Sequence, residues 1–123
     1  MVTEKDIESG EIFDDTIAVF PAGGRISKHP HLYFPYRCLV PQKVDGLLVA
    51  CRAFSSDQLV NTHYNLIPHC IAFGEAAGVA AAMASDYGVE VRKVDTAILQ
   101  EKLLDQGVLL PGIHGPRQEY KVA

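Results

Sequence analysis

Histidine is the side chain that most often moves protons or binds metals near neutral pH, and it occurs five times in the sequence. His29 and His31 are separated by one residue, a spacing that can present two imidazoles on one side of a loop or strand. No cysteine or carboxylate accompanies them at a metal-ligand spacing, so we predict no metal site. A small metal-dependent protein is kept as an alternative. The other histidines are His63, His69 and His114.

His63 is the one candidate for a catalytic side chain, and the catalytic residues are otherwise unknown. It lies in a polar stretch from Arg52 to Leu66, and loops of this length in compact domains are usually functional. His63 could transfer a proton, contact a substrate or simply form a hydrogen bond. Arg37 and Arg52 could pair with acidic side chains of the fold or hold an anionic group.

The cysteines and two tyrosines are expected to be structural. Cys38, Cys51 and Cys70 form an odd set without a C-x-x-C motif, and each has apolar neighbours. We therefore predict buried free thiols in a reducing compartment rather than disulfides. Tyr36 and Tyr64 are predicted to pack rather than to act as acids.

A helix predicted to begin at Pro68 lacks an ordinary N-terminal cap. Proline suits the first turn, which places Ile67 at the N-cap, where its side chain cannot accept a hydrogen bond. The N–H groups of His69 and Cys70 then need another partner. Asn65 could supply an oxygen, and a ligand with a carbonyl group or partial negative charge could do so equally well.

The body of this helix consists of small residues over 74–82 (GEAAGVAAA). Gly74 and Gly78 are four residues apart and share one face. Each glycine in a helix interior costs about 0.5–1 kcal/mol relative to alanine. The pair is tolerated if a flat ligand lies against that face, or if the face packs closely on a sheet without a ligand. Both interpretations are open.

Several short segments precede this helix. Residues 1–14 predict an arm or short helix, and 15–21 a short strand that is closed by a turn at 23–24. Residues 33–40 predict an edge strand or two extended pieces, because prolines interrupt them. The continuous apolar run at 47–51 predicts a buried strand of a parallel sheet, whose carboxyl end is where ligands bind in such sheets.

Two helices and a tail follow. The first runs from Pro68 to about Tyr87, with Gly88 as its C-terminal cap. The second begins at Asp95 as N-cap and ends at Gly107, and its apolar residues keep helical spacing. The tail, 108–123, is rich in turn residues and is predicted to wrap a surface.

Composition limits the possible partners. The 123 residues fit one domain, and the net charge of −4 argues against a nucleic-acid-binding surface. No apolar stretch is judged long enough to span a membrane. The first residues are acidic and contain no apolar signal core, so we expect a cytoplasmic protein.

Three segments, in this order, resemble the C-terminal part of FAD-dependent oxidoreductases. They are 36–41 (YRCLVP), 44–52 (VDGLLVACR) and 68–82 (PHCIAFGEAAGVAAA). The family's ending carries the motifs P-Y-R-C-L-V-P, N-L-L-V-A-G-R and G-x-A-A-G-x-A-A-A. The likeness runs from about Thr3 to Leu110.

The resemblance implies an α/β fold that is the C-terminal part of an FAD-binding Rossmann-like domain. That part has one or a few β-strands plus two helices, and it is incomplete without a partner. Residues 1–43 would be an arm and strands from the substrate-side region, and 44–90 the strand–loop–helix unit of the FAD-binding domain. Residues 91–123 would be the C-terminal helix and tail.

The resemblance also implies a cofactor site and an activity. In the family, the small-residue helix points its N-terminus at the flavin, where free N–H groups meet a flavin oxygen and positive potential stabilises the reduced ring. The chain would help hydride pass between an organic small-molecule substrate and FAD. The cofactor-lining residues carried over by position are Cys51, Arg52, Ala53, Asn65, Leu66 and Ile67.

The chain departs from the family at informative positions. Cys51 replaces the glycine of A-G-R. Gln58 and Asn65 replace the histidine and arginine of the family's H-E-A-x-G-S-I-R-V-M-P segment. We therefore expect a different substrate chemistry.

The phosphate-binding G-x-G-x-x-G turn does not occur in the sequence. We expect the FAD to be shared with a larger chain that carries this missing half, or the exposed surface to be covered by self-association. The chain would then be a small subunit or fragment, inactive alone. The alternative function is a non-catalytic interaction module that folds on a partner without a cofactor.

Overall fold

The computed structural model of the protein describes residues 1–22 and 27–113. The predicted turn at 23–24, most of the predicted tail and His114 lie outside the described residues. Two short 3-10 helices, Tyr36–Leu39 and Val91–Lys93, join larger elements. The larger elements are α1 (Glu4–Ser9), β1 (Thr16–Pro21), β2 (His31–Pro35), α2 (Gln58–Tyr64), α3 (Ile67–Tyr87) and α4 (Thr96–Asp105).

The N-terminal segment forms the predicted short helix, α1. The Asp6 carboxylate accepts from the N–H and the hydroxyl of Thr3, both at 2.7 Å, which satisfies a free donor at the helix start. Gly10 ends α1 in the left-handed conformation (φ 68°). A side chain at Gly10 would also collide with the ring of His29, since an added Cβ would lie 2.5 Å from it.

Strands β1 and β2 form an antiparallel hairpin, and the predicted strand at 15–21 is confirmed. Ala18 pairs with Phe34, and Phe20 pairs with Leu32. Four successive residues of β1, from Thr16 to Val19, are buried. Strand β1 is therefore covered on both faces over these residues, whereas His31 and Tyr33 of β2 are only half-buried.

The predicted parallel strand at 47–51 is wrong: the segment is irregular. The Val49 N–H donates to the Leu39 carbonyl at 2.8 Å, and Leu47 remains exposed. A parallel strand needs neighbours that supply its hydrogen bonds. The described chain contains one two-stranded antiparallel sheet, which offers no such neighbour.

The segment predicted as extended over 33–40 is extended only through Pro35. It then turns into the 3-10 helix that buries Tyr36, Cys38 and Leu39. The Tyr36 hydroxyl donates to the Val91 carbonyl at 2.7 Å. Its predicted packing role is confirmed.

The stretch predicted as a loop from Arg52 to Leu66 contains the helix α2, so that prediction is wrong in part. Asp57 caps α2 by accepting from the Val60 N–H at 2.9 Å. Only Val60 and Tyr64 of α2 are buried. Two apolar positions over two turns are too few to reveal a helical period in the sequence.

Helices α3 and α4 confirm the two predicted helices. Gly88 ends α3 in the left-handed conformation (φ 63°), and Asp95 caps α4 by accepting from the N–H groups of Ala97 and Ile98. Leu99 of α4 is fully buried in the core. The buried residues of α3 are His69, Phe73, Ala76, Ala77, Ala80, Met83 and Ala84.

Helix α3 is also long and apolar enough to cross a membrane by length and composition alone. This contradicts the expectation that no stretch of the sequence is long enough. The same test is passed by core helices of soluble proteins, so it is weak evidence for a span.

Candidate functional site

The residues that the resemblance assigns to the cofactor lie in two groups. The first is an exposed turn, Cys51–Ala53. The Phe54 N–H closes it by donating to the Cys51 carbonyl at 3.1 Å. The Ala53 N–H lies 3.4 Å from the Cys51 sulfur, its acceptor. This turn presents its side chains to solvent.

The second group, Asn65–Ile67, connects α2 to α3. Helix α2 joins the two groups physically. The Asn61 side-chain amide donates to the Arg52 carbonyl at 2.8 Å, and the Asn65 N–H donates to the Asn61 carbonyl at 3.1 Å. One residue of α2 therefore bonds to both predicted groups.

The N-terminus of α3 has no side-chain cap, as predicted, but the positions shift by one residue. Leu66 is the N-cap and Ile67 is the first helical residue. The Cys70 N–H donates to the Leu66 carbonyl at 3.1 Å, so the prediction that it is free is wrong. Pro68 has no N–H. Within the described chain, the free donors of this first turn are the N–H groups of Ile67 and His69.

An uncapped terminus of a 21-residue helix concentrates positive potential. No acidic residue stands in the first turn of α3 to offset it. A carbonyl oxygen or an anionic edge of a ligand would be stabilised there. Asn65, considered as an oxygen donor to this turn, does not cap it.

One face of α3 is uncovered in the described part of the protein. We call this face the open stripe; Ile67 and Ile71 on it are 77% and 66% exposed. An added Cβ at Gly74 or Gly78 would meet no atom within 4 Å. The spacing of these four residues places them on one side of the helix. Leu66 lies at its start and is also exposed.

This geometry bears on whether Gly74 and Gly78 pack on a sheet or lie against a flat ligand. They do not pack on the sheet of this chain, so that interpretation is wrong for the described residues. A helix that is apolar on nearly all sides is normally buried on all sides. The open stripe is therefore suited to a flat ligand, to another backbone or to both.

His63 lies on α2 and is exposed. Its Nδ1 atom is 2.9 Å from the Leu59 carbonyl oxygen, one turn earlier on the same helix. Its catalytic role stays a prediction, since its side chain is accessible but its hydrogen bond to Leu59 lies within its own helix.

The two arginines behave differently. Arg37 pairs with the carboxylates of Asp14 and Asp15, at 3.1 Å and 2.6 Å, and lies over the ring of Phe13. This structural pairing was one of the two predicted roles. Arg52 forms no ion pair with a described residue, and its side chain is available for an anionic group.

The three cysteines are free, but they are not all buried. Cys38 is buried, and burial raises the pKa of its thiol to about 12, which makes it a poor nucleophile. Cys51 is exposed and Cys70 is half-buried, so the prediction of burial is wrong for Cys51. Among the residues that the structure describes, no group of three or more potential metal-binding side chains occurs.

Sequence reasoning missed the role of His69. This ring lies in the core at the start of α3, stacked on Phe20 at 3.9 Å between ring centroids. The signal was present: His69 is four residues before Phe73 and shares the buried face of α3 with Ala76 and Ala80. A helical projection would have placed it inside.

Comparison with known proteins gives one match, at the level of the family. A family model described as FAD dependent oxidoreductase matches residues 1–103. A search of curated proteins and a search of solved structures each give no significant match.

Proposed function

Because the chain belongs to the FAD dependent oxidoreductase family, we propose that it forms one wall of a flavin pocket. The wall consists of the Cys51–Ala53 turn, the Asn65–Ile67 connection and the first turn of α3. The small α/β structure, with its antiparallel hairpin and helices, is consistent with part of an FAD-binding domain.

The observation that supports this proposal most strongly is the uncapped start of α3 beside an open apolar face. In the described structure, the N–H groups of Ile67 and His69 have no side-chain cap, and the side chains of Ile67 and Ile71 are mostly exposed. The flavin ring has the complementary chemistry, since it is flat and apolar on its faces and carries carbonyl oxygens at one edge.

When bound, FAD supplies the hydride chemistry by which the family oxidises or reduces organic substrates. The residues of this chain bind and orient it. The N–H groups of Ile67 and His69 donate hydrogen bonds toward a carbonyl oxygen, and the α3 dipole favours negative charge at that edge. Ile67 and Leu66 exclude water from the ring.

The proposal includes a second chain that completes the pocket. The sequence carries no G-x-G-x-x-G turn, so the diphosphate of FAD must be held by other residues. A larger FAD-binding chain with that turn would supply them, and a self-associated form of this chain is the second possibility. The irregular segment 47–51 would gain strand neighbours in such a complex.

Hydride transfer to or from a small organic substrate, in the cytoplasm, is the proposed activity of the complex. His63 is the candidate for proton transfer or substrate contact. Replacing it with alanine should lower turnover while FAD stays bound, because its hydrogen bond lies within α2 and does not hold either proposed cofactor group in place. Equal turnover would remove His63 from the site.

The experiment that tests the proposal is an absorption spectrum of the complex purified from its native cell through a tag on this chain. We expect a yellow complex with flavin bands and FAD released on denaturation. A colourless complex with a stable partner would contradict the proposal and favour a non-catalytic interaction module.

A further inference from the structure

His69 and Tyr64 hold buried polar atoms that the described fold leaves unsatisfied. Their exposed fractions are 7% and 5%. Within residues 1–22 and 27–113, neither ring nitrogen of His69 nor the hydroxyl of Tyr64 has a hydrogen-bond partner. The two rings lie 5.6 Å apart between centroids, at the junction of α2 and α3. Buried polar atoms without partners are destabilising and are usually retained for a reason.

The His69 ring is enclosed by aromatic side chains from three other elements. It stacks on Phe20 of β1 with 3.9 Å between centroids and meets Phe34 of β2 edge-on at 5.9 Å. Tyr64 at the end of α2 closes the third side. His69 therefore attaches the first turn of α3 to the β-hairpin.

This enclosure favours a neutral imidazole over a charged one, because burial removes the water that would hydrate the charge. In the described structure, Tyr64 is the one titratable group in ring contact with His69, and burial raises the pKa of its phenol. The other two contacts are phenylalanines. Among the residues that the structure describes, no carboxylate or other acceptor is hydrogen-bonded to either nitrogen of His69. An imidazolium held there would keep only its aromatic contacts and would lose the hydrogen bonds that water gives both N–H groups.

We propose that His69 is an acid-sensitive latch, which holds the first turn of α3 on the β-hairpin when neutral and releases it when protonated. The latch consists of His69 with Phe20, Phe34 and Tyr64. The proton comes from solvent, and the charged ring moves out of the aromatic enclosure to be hydrated.

The direction of the pH dependence follows from burial. Burial lowers the pKa of His69 in the closed state, whereas an open, hydrated ring titrates near its ordinary value of about 6.5. The open state therefore binds more protons, and acid favours opening. The latch is fully closed above about pH 6.5 and weakens as the pH falls toward the lower pKa of the closed ring.

The latch is a property of this chain and does not depend on FAD. If the proposed function also holds, opening displaces the free N–H groups of Ile67 and His69, and the complex would lose FAD in acid. A failure of the flavin proposal would leave the latch intact, because its test uses the full-length chain alone.

The test follows histidine ring signals and amide hydrogen exchange by NMR in the full-length chain between pH 8 and pH 5. We expect His69 to stay neutral to a pH below the ordinary histidine pKa of about 6.5. Opening of the amides at Cys70 and Ile71, corrected for intrinsic exchange, should increase by up to about tenfold per pH unit below the ordinary histidine pKa.

Two variants complete the design. His69→Phe keeps the aromatic contacts and removes the titration, so opening at Cys70 and Ile71 should become independent of pH. His63→Gln removes an exposed imidazole and should keep the wild-type dependence. The latch is contradicted if His69 titrates at the ordinary histidine pKa of about 6.5, or if His69→Phe retains the pH-dependent opening. The wild-type titration decides the question even if His69→Phe does not fold.

Discussion

The two ends of α3 differ in how completely the described chain satisfies them. Toward the C-terminal end, α3 packs on α4, whose N-terminus is capped by Asp95 and whose Leu99 and Leu103 are fully buried. Toward the N-terminal end, α3 has no cap, two free N–H groups and an exposed aliphatic face. The same helix thus buries one face, including His69 and Phe73 near its start, while its N-terminal donors and the open stripe stay unfilled in the described structure.

This difference distinguishes the residues that stabilise the fold from those that are free to bind a ligand or partner. The satisfied region contains the hairpin, the Arg37–Asp15 pair and α4. The Gln100 side chain joins them by donating to the carbonyls of Asp14 and Thr16, at 2.8 Å and 2.9 Å. Substitutions there should reduce stability. Substitutions on the open stripe should not cause a comparable loss of stability but should reduce binding.

The largest expected effect is the loss of Phe34, which is fully buried and contacts five other aromatic rings among the described residues. Phe34→Ala should lower the free energy of unfolding by about 3–5 kcal/mol, because the cavity cannot be filled by the rigid neighbours. Denaturant unfolding followed by circular dichroism measures this loss. A loss below 1 kcal/mol would mean that the hairpin is not the centre of the core.

A smaller loss is expected at the cap of α4. The Asp95 carboxylate accepts from the Ala97 N–H at 3.0 Å. Asp95→Ala should lower the free energy of unfolding by about 1 kcal/mol, since it leaves first-turn donors without a partner. Asp95→Asn is the matched control, because asparagine caps nearly as well. Equal losses in both variants would show that the cap is not the cause.

The carboxylate of Asp57 should make stability depend on acid pH. Its pKa lies below the ordinary value because it accepts from the backbone N–H groups of Val60 and Glu4. Its contribution is therefore present above the unfolded-state pKa and is lost as the pH falls through the folded-state pKa. Between about pH 5 and pH 2, the midpoint temperature of thermal unfolding should fall less steeply with decreasing pH in Asp57→Asn than in the wild type. An identical slope would remove Asp57 as a contributor.

The smallest effect on stability is expected at Ile67, despite its size, because its side chain is mostly exposed. Ile67→Ser should change the free energy of unfolding by less than about 0.5 kcal/mol. Less partner chain and less flavin should co-purify with this variant than with the wild type. Full recovery of both would show that this end of the open stripe is not an interface.

The sequence was sufficient to predict the elements whose signals are local. Residue type and spacing over a few positions are enough to predict the strand at 15–21, both long helices, the Asp95 cap and the Gly88 terminus. The uncapped start of α3 was likewise visible, because a proline with apolar neighbours leaves no side-chain acceptor.

The remaining features depend on contacts between residues distant in the sequence, which the local spacing of residue types cannot predict. The apolar run at 47–51 has the composition of a parallel strand, yet strand formation requires a neighbour that the described chain does not provide. Helix α2 buries only Val60 and Tyr64, so its sequence shows almost no helical periodicity of apolar residues. The burial of His69 depends on Phe20 and Phe34, which are distant in the sequence.

The most direct measurement of the central claim compares Gly74→Leu with Glu101→Leu, which adds the same side chain to an exposed position of α4. In the isolated chain, Gly74→Leu should raise the free energy of unfolding by about 0.5–1 kcal/mol, because leucine has a higher helix propensity than glycine. The new side chain also meets no obstacle, since nothing lies within 4 Å of an added Cβ. In the purified complex, Gly74→Leu should abolish FAD retention, whereas Glu101→Leu should keep it. Undiminished FAD in the Gly74→Leu complex would contradict the assignment of the open stripe to the flavin pocket.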